Sequence, residues 1–144
     1  LIYRSNIIDE PYDGIMYAVA ISLGYATLEN VIYAIYDYPT FSSLLFRAFL
    51  PVSGHALFAV FMGYQMGKAK FEKKNAKKLI LLSLFQPILW HGIFDFILLQ
   101  LKTHWIWFMI PFMIFLWVRS LLKMQTAKAK SPFRSVQLED EVKI

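Results

Sequence analysis

Four apolar stretches, each close to the length of one membrane crossing and parted by short polar breaks, constrain this chain more than any other feature. A helix needs about 20 apolar residues to cross a hydrocarbon core about 30 Å thick. The stretches cover about residues 13–36, 44–67, 79–101 and 105–122. They are continuous, whereas a transmembrane β-barrel needs many short alternating strands. The expected fold is all-α: a polytopic membrane bundle of four transmembrane helices. Pro39 and Thr40 separate the first two runs, a lysine-rich block the second and third, and a tight turn at Lys102 to His104 the last two. Residues 1–124 make up the membrane domain, and residues 125–144 read as a polar surface tail with an acidic cluster at Glu139, Asp140 and Glu141.

Composition agrees with that division. Of the residues, 58% are hydrophobic and 17% charged, against about 25% charged in typical soluble domains. Mean hydropathy is +0.47. A disordered chain is excluded and a water-soluble globule is disfavoured. Without Cys there is no disulfide framework, no thiolate nucleophile and no Cys-based zinc site. The net charge of +5 invites a nucleic-acid reading, but six Lys and one Glu between Lys68 and Lys78 account for all of it. One basic block between apolar runs suits a membrane surface, so no nucleic-acid partner is expected.

The same block sets an expected orientation through the positive-inside rule. With Lys68 to Lys78 cytoplasmic, both termini are cytoplasmic and 13 of the 15 basic residues lie inside, leaving Arg47 and Lys102 outside. The expected location is a cell membrane, inner or plasma, crossed several times. The chain opens at Leu1 without an initiator Met, and Leu1 to Arg4 reads as the last turn of an apolar helix with a basic stop. A longer parent protein is therefore expected.

Within the spans, the ionisable residues carry the information. They are Glu29, His55, His91 and Asp95, and a charge at such depth costs several kcal/mol unless it faces the bundle interior. At 1.5 Å per residue, Glu29 lies about 10 Å from the outer end of its helix, Asp95 about 9 Å and His91 about 15 Å. His55 lies about 6 Å in if its helix starts at Pro51, a favourable first-turn residue, and about 16 Å in if it starts at Leu44. All four then share one layer in the outer half of the membrane and are expected to converge. His91 and Asp95, four apart, project from one helix face. Two imidazoles and two carboxylates make a plausible ligand set for zinc with a water left over.

Blander readings exist for each. His91 and Asp95 also serve as a hydrogen-bonded pair between helices, and Glu29 as a protonated carboxyl bonded to Asn30 or a Tyr. His104 reads as solvent-facing, and Arg47 as snorkelling to the headgroups in preference to pairing with Asp37. Ala59, Gly63 and Gly67 have the small-xxx-small spacing of close helix packing. Trp105, Trp107 and Trp117 read as interfacial or lipid-facing bulk.

The run Glu10-Pro11-Tyr12-Asp13-Gly14-Ile15-Met16-Tyr17, followed by Gly24-Tyr25-Ala26-Thr27-Leu28-Glu29-Asn30, resembles the PrsW family of intramembrane proteases, relatives of the CAAX prenyl proteases. Tyr25-x-x-x-Glu29 matches the family's Phe-x-x-x-Glu motif with Tyr for Phe, and His91-Gly92-Ile93-Phe94-Asp95 its His-x-x-x-Asp motif. Arg47, His55-Ala56-Leu57-Phe58, Gly63-Tyr64 and Gly67-Lys68-Ala69-Lys70 resemble its middle helix and basic loop. The likeness covers about residues 9–100. It implies hydrolysis of a membrane-anchored protein, such as an anti-sigma factor, by a site of Glu29, His55, His91 and Asp95. That site either holds a metal to activate water or activates it with the carboxylates and imidazoles alone. The family's Glu-Glu-x-x-Lys pair is not matched; Asp9-Glu10 precedes Pro11 at the wrong membrane edge. The pair is expected upstream, and the chain alone is expected to be inactive.

Two rival readings are a non-catalytic scaffold of the same superfamily and a proton or ion pathway. Orientation is testable first. A cysteine placed in the Lys68–Lys78 block is expected to be shielded from impermeant thiol reagents in intact cells, and one beside Lys102 to react; the opposite labelling inverts the topology.

Overall fold

The computed structural model describes residues 8–133; Leu1 to Arg4 and the acidic cluster at Glu139 to Glu141 lie outside the described residues. The described residues form four long helices: α1 Pro11–Tyr36, α2 Phe41–Phe71, α3 Ala76–Gln100 and α4 Trp105–Ala129. Each is long and apolar enough to cross a membrane. The all-α expectation holds, and the helices overrun their expected limits at most ends. The last helix continues to Ala129, so the start of the expected tail is helical.

Local chemistry explains the ends. Pro11 opens α1, where its missing N–H is no loss. The Asp13 carboxylate accepts the N–H groups of Asp9 (2.9 Å) and Glu10 (3.0 Å), donors the helix leaves free. Thr40 caps α2 by accepting from the Ser43 N–H at 3.3 Å. That cap starts α2 three residues before Leu44 and ten before Pro51, so Pro51 is internal rather than first-turn. Pro87 and Pro111 are likewise internal to α3 and α4. The turns before α2 and α4 pass through left-handed residues, Tyr38 at φ 44° and Lys102 at φ 40°.

α2 is the hub. Twelve of its 31 residues are buried, against four in α1, four in α3 and five in α4. At 1.5 Å per residue it is about 46 Å long. Leu57, Phe58 and Phe61 pack with Phe94 and Ile97 of α3 and Met109, Met113 and Leu116 of α4. Nearer the lysine block, Val60 packs between Ile15 of α1 and Ala127 of α4. Gln65 donates to Gln86 at 3.1 Å, a polar tie from α2 to α3. At the lysine-block end, Glu72 meets Lys68 (3.6 Å) and Lys130 (3.7 Å), and Ser131 bonds Glu10.

The tightest contact joins α1 to α2. A Cβ added to Gly14 would stand 2.5 Å from the Gly63 carbonyl oxygen and 2.8 Å from the Gly67 nitrogen. Additions at Gly63 and Gly67 would strike the α1 backbone at Gly14 and Pro11. Backbone meets backbone here, as the small-residue row predicts, with Gly14 as its partner on α1.

Gly63→Ala is therefore expected to destabilise the detergent-solubilised protein by about 1–3 kcal/mol through overpacking. Gly24→Ala, where a Cβ meets nothing within 4 Å, is expected to stabilise it by about 0.5–1 kcal/mol through helix propensity. Equal effects at the two positions in thermal unfolding would show that close approach is not what Gly63 provides.

Candidate functional site

Pairing between the antiparallel α1 and α2 runs in steps of eight. Gly14 meets Gly63, then the Ser22 hydroxyl donates to the His55 carbonyl at 3.0 Å, then Asn30 meets Arg47. This register brings Glu29 of α1 onto α2. Its Oε2 lies 3.0 Å from His55 Nε2, and its Oε1 lies 3.6 Å from Arg47 Nη2. α3 supplies the rest: the His91 ring stands edge-on to His55 with centroids 5.0 Å apart, and His91 Nε2 lies 3.4 Å from Asp95 Oδ2.

The four expected residues thus gather in one layer, as two imidazole–carboxylate pairs side by side. Their exposure differs. The His55 side chain is 9% exposed, while those of Glu29, His91 and Asp95 are 40–50% exposed at the open edge. Phe58 stacks on His91 with centroids 5.5 Å apart and also touches His55, so a hydrocarbon wall backs both rings. The Tyr25 ring lies 5.9 Å from His55. His104 is exposed beyond the layer and takes no part in it.

Two concavities meet at the imidazoles. A cleft of about 40 Å³ lies among Glu29, Arg47, Pro51, His55, Phe58, His91, Phe94, Asp95 and Leu98. A water needs roughly 10–15 Å³ and two or more polar partners, so one fits here. On the other side a groove of about 400 Å³ runs between α1 and α3 with α2 as its floor. Gly14, Ala18, Ala59, Met62, Met66 and Ile88 line it, and it ends at His55 and His91. That volume lies within the usual range of about 300–1,000 Å³ for ligand sites.

The arrangement is not a metal cage. Zinc sites in proteins gather three or four donors around one point. Among the described residues no group of three or more His, Asp or Glu stands close enough to hold a metal ion, and each Nε2 already faces a carboxylate. As placed, these side chains do not by themselves fit a zinc ion.

Comparison with known proteins decides the family. Residues 1–119 match the PrsW family intramembrane metalloprotease profile. The chain belongs to the PrsW family. It is 46% identical over 129 residues to protease PrsW of Bacillus subtilis, covering 89% of this chain and 58% of that protein. To protease PrsW of Halalkalibacterium halodurans it is 43% identical over 125 residues, covering 87% and 57%. To that of Clostridioides difficile it is 36% identical over 121 residues, covering 81% and 50%. The chain thus spans little more than half the length of these PrsW relatives. No solved structure matches.

Arg47 departs from its expected place. It neither snorkels to the headgroups nor pairs with Asp37; its Nε donates to Asn30 Oδ1 at 3.0 Å, and its guanidinium lies 4.3 Å from the Tyr33 ring centroid. A carboxylate and an amide within the span offer more than a distant interface. Ser22 and the Gln65–Gln86 bond were also missed. Ser22 lies seven residues before Glu29, hence on the same helix face, which was the available signal. Trp105 packs edge-on against Phe46 at 5.5 Å, while Trp107 and Trp117 are exposed as bulk.

Proposed function

We propose that the intact protein is an intramembrane endopeptidase that hydrolyses a membrane-anchored protein, such as an anti-sigma factor, with Glu29, His55, His91 and Asp95 at the reacting layer. The observation that carries this reading is the pair of imidazole–carboxylate couples flanking a water-sized cleft at the end of an apolar groove. A neutral imidazole that donates Nε2–H to a carboxylate keeps its lone pair on Nδ1. Glu29 would hold His55 in that tautomer, leaving Nδ1 to take the proton from a water attacking the scissile carbonyl. The His91–Asp95 couple, starting with His91 protonated, would give that proton to the departing amine, and the proton held on His55 would then pass back to His91 to reset the layer. The groove suits the apolar flank of the cleaved segment.

The location is a cell membrane, inner or plasma, with the lysine block and both termini on the cytoplasmic side. The membrane domain covers residues 1–124 and the tail residues 125–144. Zinc belongs to the proposal for the intact protein only, with the remaining ligands from a glutamate pair upstream; no step above uses it.

The test uses the full-length gene product and a membrane-anchored substrate. Glu29→Gln and His91→Ala are each expected to lower cleavage about a hundredfold or more with protein level unchanged. Tyr25→Phe is expected to be nearly silent. Loss of cleavage on chelation, restored by Zn²⁺, would establish the metal. Undiminished cleavage with both Glu29 and His91 replaced would reduce the layer to helix glue and leave a scaffold as the better reading. The 144-residue chain alone is expected not to cleave.

A further inference from the structure

We propose that Arg47 is a positioning residue of this layer: its guanidinium holds Oε1 of Glu29 so that Oε2 stays on His55. The proposal rests on the proteolytic reading for its kinetic consequence, though not for its geometry.

Glu29 needs such a hold. Its side chain is long, rotates about several bonds and is 43% exposed at the open edge of the cleft. Its neighbour Asn30 is engaged with Arg47, whose Nε donates to the Asn30 amide oxygen. His55 reaches one carboxylate oxygen only. With nothing on the other oxygen, the carboxylate would rotate toward the mouth and the imidazole would lose its tautomer-fixing partner.

Arg47 is equipped to prevent that. Its side chain is 20% exposed and anchored at two points other than Glu29: the Nε donor on Asn30 and the guanidinium face on Tyr33. Both anchors sit on α1, one and four residues beyond Glu29. The planar fork is thereby set before it meets the carboxylate, at 3.6 Å. A lysine at this position would keep the charge but lose the fork and its stacking face. Arg47 borders the small cleft but not the groove that would hold the cleaved segment, and its ion pair is with Glu29, through which the proposal has it act.

The experiment compares Arg47→Gln, Arg47→Lys and Asn30→Ala in the full-length gene product. Cleavage kinetics are read beside the side-chain ¹⁵N signals of histidine-labelled protein, with His55 assigned from its loss in His55→Gln. Arg47→Gln is expected to lower kcat about ten- to hundredfold with KM changed less than about twofold, because misplacing a reacting group slows the step more than binding. The His55 signal is expected to move as it does in Glu29→Gln. Arg47→Lys should recover part of both, and Asn30→Ala should show a smaller change of the same sign and remain readable if Arg47→Gln does not fold. A merely structural Arg47 would lower the melting temperature yet leave kcat and the His55 signal in place, which overturns the proposal. Should the parent show no cleavage, the proteolytic reading fails while the His55 signal still decides whether Arg47 positions Glu29.

Discussion

The backbone contact between α1 and α2 at Gly14, Gly63 and Gly67 governs where everything else can lie. In lipid there is no hydrophobic force between helices, so close packing and interhelical hydrogen bonds hold them. Three glycines let two backbones touch near the lysine-block end. From that point the two helices run antiparallel in register, placing Ser22 on His55 and Asn30 on Arg47. Glu29 reaches an imidazole because Gly14, fifteen positions earlier, and the glycines it meets on α2 have no side chains.

The polar layer is the second constraint, and it is costly on its own. A carboxylate or an imidazole in hydrocarbon is tolerable when partners are close. The structure meets that condition by pairs: Glu29 with His55 and Arg47, His91 with Asp95, Gln65 with Gln86. Each pair except His91–Asp95 joins two helices, so the groups that invite chemistry also set helix placement. Phe58 and Phe94 belong to the main core and form its face toward this layer, with Phe58 stacked on His91, so the imidazoles lie at the core's edge.

Much of this was legible from residue order. Continuous apolar runs and a single lysine block give four helices, because crossing length is fixed by bilayer thickness and leaves little alternative. The depth argument also brought Glu29, His55, His91 and Asp95 to one level, since rise per residue converts sequence distance into height. Height says nothing about azimuth, however. Which carboxylate faces which imidazole depends on the α1–α2 register, and that turns on Gly14, whose partner Gly63 lies 49 positions away. Arg47 was misplaced for the same reason: its distance to Asp37 in sequence was visible, and its distance to Asn30 across the helix pair was not. The start of α2 was obscured by Pro51, which resembles a first-turn residue until the Thr40 cap is seen.

The length of α2 has a consequence for the surrounding lipid. A helix of about 46 Å outlasts a hydrocarbon core of about 30 Å, and the mismatch is absorbed by tilt, by emergence into the headgroups or by local deformation of the bilayer. His55 lies on this helix, so the depth of the polar layer is tied to how α2 sits in the sheet of lipid. In a thin membrane the layer stands nearer the headgroup water, and in a thick one it sinks toward dry hydrocarbon. Acyl-chain length thereby becomes a control on the hydration of the imidazole–carboxylate couples, imposed by the solvent rather than by any residue.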